Sequence, residues 1–219
     1  MMFYFDTKPV SRRKNESVIG RAVYITGRTL HDYQKEKDIS HPRQDIVWQD
    51  ILCPANAPPE FADLQALVDA MERAEKRRDA RTARQYIASL PREVPKSSHI
   101  EMVTAFINKN FISRGLCAVA AIHEGRDESD AKKNNPHVHI LVSSRPLKGQ
   151  EFSRCKDRVL DSRPHLLTLR RCWADLVNRE YERFKRPFRV SPEKLHYIDH
   201  VHDHDHDHGY DHDAPARTR

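Results

Sequence analysis

Leu116-Cys-Ala-Val-Ala-Ala-Ile-His123 and, after a polar connection, Pro136-His-Val-His-Ile-Leu-Val-Ser143 decide how this chain folds. Each is a short apolar run rich in β-branched residues, the signature of a buried strand. The roughly ten polar residues between them suit the longer kind of hairpin connection. Two neighbouring strands joined this way predict a largely antiparallel sheet. On a strand, side chains i and i+2 share a face at roughly 6.5–7 Å along the backbone. His137 and His139 therefore project together, while Val138 and Ile140 turn to the other face.

Antiparallel pairing of the two runs places His123, at the loop end of its strand, beside His137. Three neutral imidazoles converging in this way make a metal site with open positions, the arrangement needed to polarise a phosphoryl oxygen. The plainer reading, ordinary strand histidines, has some force in a chain with 14 His. Six of those, however, lie at 200–212, and a third histidine at a hairpin-compatible position favours the metal site.

Working outward, residues 2–10 and 46–52 read as strands, and so does the stretch from about Arg84 to Glu93. Helices are expected from Ser17 to about Gln34, from Phe61 to Ala83, from Ser97/Ser98 to about Ile112, and from Leu166 to Lys185. The order β-α-β-α-β-α-β-β-α is that of an α+β protein: a largely antiparallel sheet with helices packed on it. One domain over 1–190 is expected, followed by a His/Asp-rich tail, 191–219, in which HVHDHDHDHGYDHD has too little apolar content to form a core and reads as disordered. That tail offers loose chelation of Zn²⁺, Ni²⁺ or Cu²⁺, or an acidic cover for a basic surface.

The formal charge is +6, and six aspartates in 199–213 mean that the body is more basic still. Such a body favours a polyanion partner, because each Lys or Arg placed on a phosphate releases a counterion. The four cysteines are scattered without a CxxC pair, so neither a zinc knuckle nor a disulfide framework is suggested. No signal peptide is legible at the start, and no apolar run approaches a membrane span, so a cytoplasmic protein without membrane insertion is the expectation.

Tyr24 lies in Ser17-Val-Ile-Gly-Arg-Ala-Val-Tyr24-Ile-Thr-Gly, with Arg21 at i−3 and Arg28 at i+4. A tyrosine can attack a phosphodiester when its ionisation is assisted, and flanking arginines suit the phosphate. From spacing alone, an amphipathic core tyrosine explains the pattern as well.

Val10-Ser11-Arg12, Ser17, the Arg21-Ala22-Val23-Tyr24 block, Leu90-Pro91-Arg92-Glu93, Ile122-His123 and Asn135-Pro136-His137-Val138-His139-Ile140 stand in an order that resembles the MobA/MobL-type plasmid mobilisation relaxases. The similarity extends over about residues 1–185. Those are HUH endonucleases. The resemblance implies that one strand is cut at an origin of transfer by Tyr24, giving a 5′-phosphotyrosyl adduct, with Mg²⁺ or Mn²⁺ on His123, His137 and His139. It implies an acidic residue near the site, for which Glu93 is the candidate, though a surface carboxylate is an equal reading. Arg12, Arg21 and Arg28 are candidate DNA contacts. The implied partners are single-stranded DNA at the origin of transfer, accessory mobilisation proteins and type IV secretion coupling proteins. Two alternatives stay open: an HUH replication initiator or transposase, and a non-catalytic, metal-binding, DNA-associated protein. A tyrosine that precedes the H-x-H favours the relaxase arrangement.

Overall fold

The computed structural model describes residues 3–125 and 134–193; the His/Asp-rich tail lies outside the described residues, apart from 191–193. The main sheet contains β1 (Phe5–Ser11), β4 (Ile46–Leu52), β5 (Arg81–Ser89), β6 (Ala118–His123) and β7 (His137–Ser143). Their order is β1-β5-β7-β6-β4, and every neighbouring pair is antiparallel. The helices are α1 (Val18–Thr26), α2 (Leu64–Arg73), α3 (Lys96–Asn110) and α4 (Arg163–Arg183). Two small hairpins, β2 (Leu30–Asp32) with β3 (Lys37–Ile39) and β8 (Leu147–Lys148) with β9 (Glu151–Phe152), were not legible in the sequence. The α+β arrangement is as the sequence predicts.

Each sheet face carries its own core. Val138, Ile140, Ala120 and Ile122 pack with Phe5, Tyr86, Phe106, Phe111 and Trp173 under α3 and α4. Leu141, Val119 and Val10 pack with Val18, Ala22, Val23, Ile25, Leu67 and Val68 of α1 and α2. A sheet covered on both faces has near-continuous apolar central strands, which explains why Ala118–His123 is buried throughout. Each fully buried Val, Ile or Phe contributes about 1.5–3 kcal/mol, so both layers are needed.

Several helix bounds differ from expectation, for identifiable reasons. Helix α1 stops at Thr26 because Gly27 takes the left-handed conformation, φ 66°, and its N–H closes on the Val23 carbonyl. Its N-cap is Ser17, whose side chain accepts from the Gly20 N–H. Helix α2 begins after Asp63, whose side chain accepts from Ala66 N–H, and ends at Arg73. The charged stretch beyond it has no apolar stripe to pack, and Arg81–Ser89, which overlaps the end of the expected helix, is strand. Helix α3 starts behind Pro95, with no side-chain cap from Ser97 or Ser98. No helix among the described residues is long and apolar enough to cross a membrane.

Candidate active site: three histidines beneath a tyrosine

Strands β6 and β7 are adjacent in the sheet centre, with His123 opposite His137 and Ala121 opposite His139. All three rings lie on the face covered by α1 and α2. Ring centroids are 4.6 Å apart for His123 and His139, 4.9 Å for His137 and His139, and 5.3 Å for His123 and His137. Ligand nitrogens from the three lie within 4.8 Å of one another.

The outer nitrogen of each ring has its own partner. His123 donates through Nε2 to the Ile25 carbonyl at 2.7 Å, and its Nδ1 is buried with no partner. His137 donates through Nδ1 to the Asn135 carbonyl at 2.7 Å. His139 Nδ1 meets the Gln85 side-chain amide at 2.7 Å. Turning that amide about its last torsion gives Nδ1–H an oxygen to bond and satisfies Gln85 Oε1, otherwise buried without a partner. The inward set is then His123 Nδ1, His137 Nε2 and His139 Nε2, the last two 3.1 Å apart. Lone pairs this close, with an orphaned third nitrogen, are what a cation satisfies, and outer hydrogen bonds of this kind orient metal-bound imidazoles. The donor set fits a divalent metal ion.

Electrostatics keep His123 and His139 in the ligand form. Burial first, then nearby Arg43, lowers His123 to about 4, with the Ile25 carbonyl partly opposing. Burial, then the other two imidazoles, holds His139 well below its ordinary value. Neutral imidazole is the form that binds metal.

Tyr24 comes to this cluster from α1. Its ring is perpendicular to that of His139 at 5.9 Å. The Arg21 guanidinium lies 5.9 Å from the Tyr24 ring centre, paired with Glu16 at 3.1 Å. Since α1 ends at Thr26, Arg28 follows the helix, exposed, and does not share the Tyr24 face. Arg12 is committed elsewhere: it donates to the carbonyls of Glu72, Glu75 and Arg77 and to the Glu72 carboxylate, closing the C-terminal end of α2. Glu93 accepts from the Tyr181 hydroxyl of α4 at 3.0 Å, in the layer beneath the opposite sheet face. The structure thus brings His123, His137, His139, Tyr24 and Arg21 together and leaves Arg12, Arg28 and Glu93 apart from them.

Sequence reading missed Gln85, His41, Arg43 and Asp45. The His41 ring sits 5.3 Å from that of Tyr24, and the Arg43 guanidinium 5.2 Å from it. Asp45 grips Arg43 through two bonds, at 2.9 and 3.0 Å, which raises the arginine further. Burial alone raises Asp45, and its bonds to Arg43 more than reverse that. These residues occupy an irregular connection or a mid-strand position, where no periodicity marks them.

The MobA/MobL family model matches residues 16–201. The probable mobilization protein MobA of Bifidobacterium longum is 33% identical over 168 residues, which is 74% of this chain and 29% of that protein. Among solved structures, a chain described under "Molecular Basis of Vancomycin Resistance Transfer in Staphylococcus aureus" superposes with a TM-score of 0.78 at 25% identity, covering 88% of this chain and 99% of its own length. The MobM relaxase domain, described as manganese-bound and in complex with plasmid pMV158 oriT DNA, has a TM-score of 0.50 at 10% identity, covering 93% of this chain and 95% of that one, and is a likeness of fold alone.

Proposed function

The chain belongs to the MobA/MobL family, and from that footing we propose that it is a DNA relaxase in which Tyr24 nicks one strand at an origin of transfer during plasmid mobilisation. The observation that carries the reading is the Tyr24 ring standing 5.9 Å from His139, over three imidazoles able to hold one ion. One phosphate can touch both groups.

Tyr24 Oη forms a bond to phosphorus as the bond from phosphorus to the 3′ oxygen breaks. The phenolic proton ends, in the balance, on that 3′ oxygen. The products are a 5′-phosphotyrosyl adduct and a free 3′-hydroxyl. The adduct conserves the phosphodiester's energy, so the reverse attack rejoins the strand without a nucleotide cofactor. A divalent ion on His123, His137 and His139 supplies Lewis-acid stabilisation of charge on a non-bridging oxygen. Three imidazoles are a poor match for Mg²⁺, which prefers oxygen ligands, and a better one for Mn²⁺. The chain itself orients the phenol through α1, keeps the rings neutral and offers Arg21 to the phosphate. The basic charge suits single-stranded DNA. Accessory mobilisation proteins, a secretion coupling protein and a cytoplasmic location belong to the same proposal.

The test is incubation with single-stranded DNA from the native replicon's transfer origin plus Mn²⁺. An SDS-resistant protein–oligonucleotide adduct is expected, absent without divalent metal and absent in Tyr24→Phe. Cleavage undiminished in Tyr24→Phe overturns the nucleophile assignment.

A further inference from the structure

Six residues, Ser40-His-Pro-Arg-Gln-Asp45, connect β3 to β4 and flank the site, with the His41 ring and the Arg43 guanidinium beside Tyr24 and Asp45 leading into the strand that pairs with His123. The connection is anchored at both ends. The Asp45 carbonyl accepts from the Glu124 N–H at 2.8 Å, just beyond His123. At the other end the Ser40 hydroxyl accepts from the Thr29 hydroxyl at 2.9 Å, and between the two the connection packs on the C-terminus of α1, where a Cβ on Gly27 would stand 3.3 Å from the Arg43 nitrogen. Glycine is required there by its positive φ and by this close approach.

Arg43 uses Nε and Nη2 on the two Asp45 oxygens. A guanidinium has five N–H donors in a rigid fork, so the carboxylate fixes the plane and leaves other donors free to act. The guanidinium carbon stands 5.2 Å from the Tyr24 ring centre, which puts the remaining donors beside the phenol. A phosphate close enough for Tyr24 to attack is therefore within reach of the same cation. In an in-line displacement, charge builds on two non-bridging oxygens, and one metal ion takes one of them. Preorganised donors aimed at the other are worth the most where they are already held in place.

We infer that Arg43, pinned by Asp45, is a catalytic residue of this site, bonding the attacking Tyr24 oxygen and neutralising the non-bridging phosphate oxygen turned away from the histidines. Asp45 is the positioning residue that acts through it. The inference rests on the relaxase reading above. The plainer role for Arg43, a tie that only holds the connection to β4, makes a different prediction.

The experiment uses the full chain, Mn²⁺ and an oligonucleotide spanning the wild-type nick site, under single turnover at saturating DNA. Arg43→Met is expected to slow adduct formation about 10²–10³-fold, the usual cost of removing one preorganised donor to a developing oxyanion. Mn²⁺ affinity should stay within about twofold, which also reports that the variant folds. Arg43→Lys should restore part of the rate. A second readout replaces one non-bridging oxygen of the scissile phosphate with methyl, as separate diastereomers. For the diastereomer that removes the oxygen facing Arg43, wild type should lose a large factor, Arg43→Lys an intermediate one and Arg43→Met little. Asp45→Asn should slow wild type yet cost nothing further in Arg43→Met. Equal methylphosphonate penalties in wild type and Arg43→Met, or an Arg43→Met rate within twofold of wild type, overturn the inference. No adduct with wild type on its own origin DNA overturns the relaxase reading, and the inference with it.

Discussion

His123 Nε2 donates to the carbonyl of Ile25, the residue after Tyr24, at 2.7 Å. One bond thereby fixes the ring's tautomer, turns Nδ1 inward, and ties the helix carrying the tyrosine to a strand of the histidine cluster. The Ile25 carbonyl is among the last four of α1, which have no partner within the helix.

Replacing His123 with Ala removes a donor from a buried carbonyl as well as a ligand. Metal-free His123→Ala should be less stable by about 1–3 kcal/mol, the cost of a buried polar group left unpaired. Urea unfolding in the presence of a chelator measures this. Unchanged stability means that the bond does not hold α1 in place.

Gln85 is the outer partner of His139. Gln85→Leu leaves all three ligands present yet should weaken Mn²⁺ binding about 10–100-fold, as losses of such outer partners do. Gln85→Glu should bind at least as tightly as wild type, since a carboxylate accepts from Nδ1–H more strongly. The tail adds seven further histidines, so the site's share is the difference between each protein and its His139→Ala counterpart. Equal affinity in Gln85→Leu excludes the outer role.

How much of this was legible follows from where each residue sits. His137 and His139 announced themselves because strand periodicity puts i and i+2 on one face, and His123 followed from the hairpin register. Tyr24 needed family resemblance, since a phenol on an amphipathic helix has the same spacing whether it is core or nucleophile. Arg28 falls outside the helix because Gly27 ends α1 at Thr26, two residues short of what the i+4 argument requires. Gln85 and Arg43 could not be found at all: both matter through cross-chain proximity, one to a strand 54 residues later and one across a connection without periodicity.

Arg12 makes the same point from the other side. Its guanidinium closes the end of α2 and pairs with Glu72, whose other oxygen accepts the Val18 N–H at the start of α1, at 2.6 Å. Arg12→Ala should lower stability by about 2–3 kcal/mol, as when a largely buried charge-assisted network loses a member. The salt dependence of DNA binding should stay as in wild type. A salt slope reduced by about one unit would instead make Arg12 a phosphate contact.

His99 supplies a pH signature away from the metal site. It is 4% exposed and donates through Nε2 to the Pro91 carbonyl at 2.8 Å. Burial, with Lys96 adding to it, lowers its pKa below 6.5 despite the Pro91 bond. A base whose folded pKa is depressed gives its full stability above the unfolded value and loses it as pH falls toward the folded one. The stability gap between wild type and His99→Gln should therefore be widest near pH 8 and narrower at pH 5.5. A gap independent of pH would show that the ring titrates alike in both states.

The bond from Ile25 to His123 spans 98 residues of sequence. Tyr24 is made before its counterpart histidines, which arrive only with the two central strands. A nascent or partly melted copy therefore holds the phenol without its imidazoles, and the two meet only when the sheet closes. Under the relaxase reading proposed above, cutting would then wait for the finished fold.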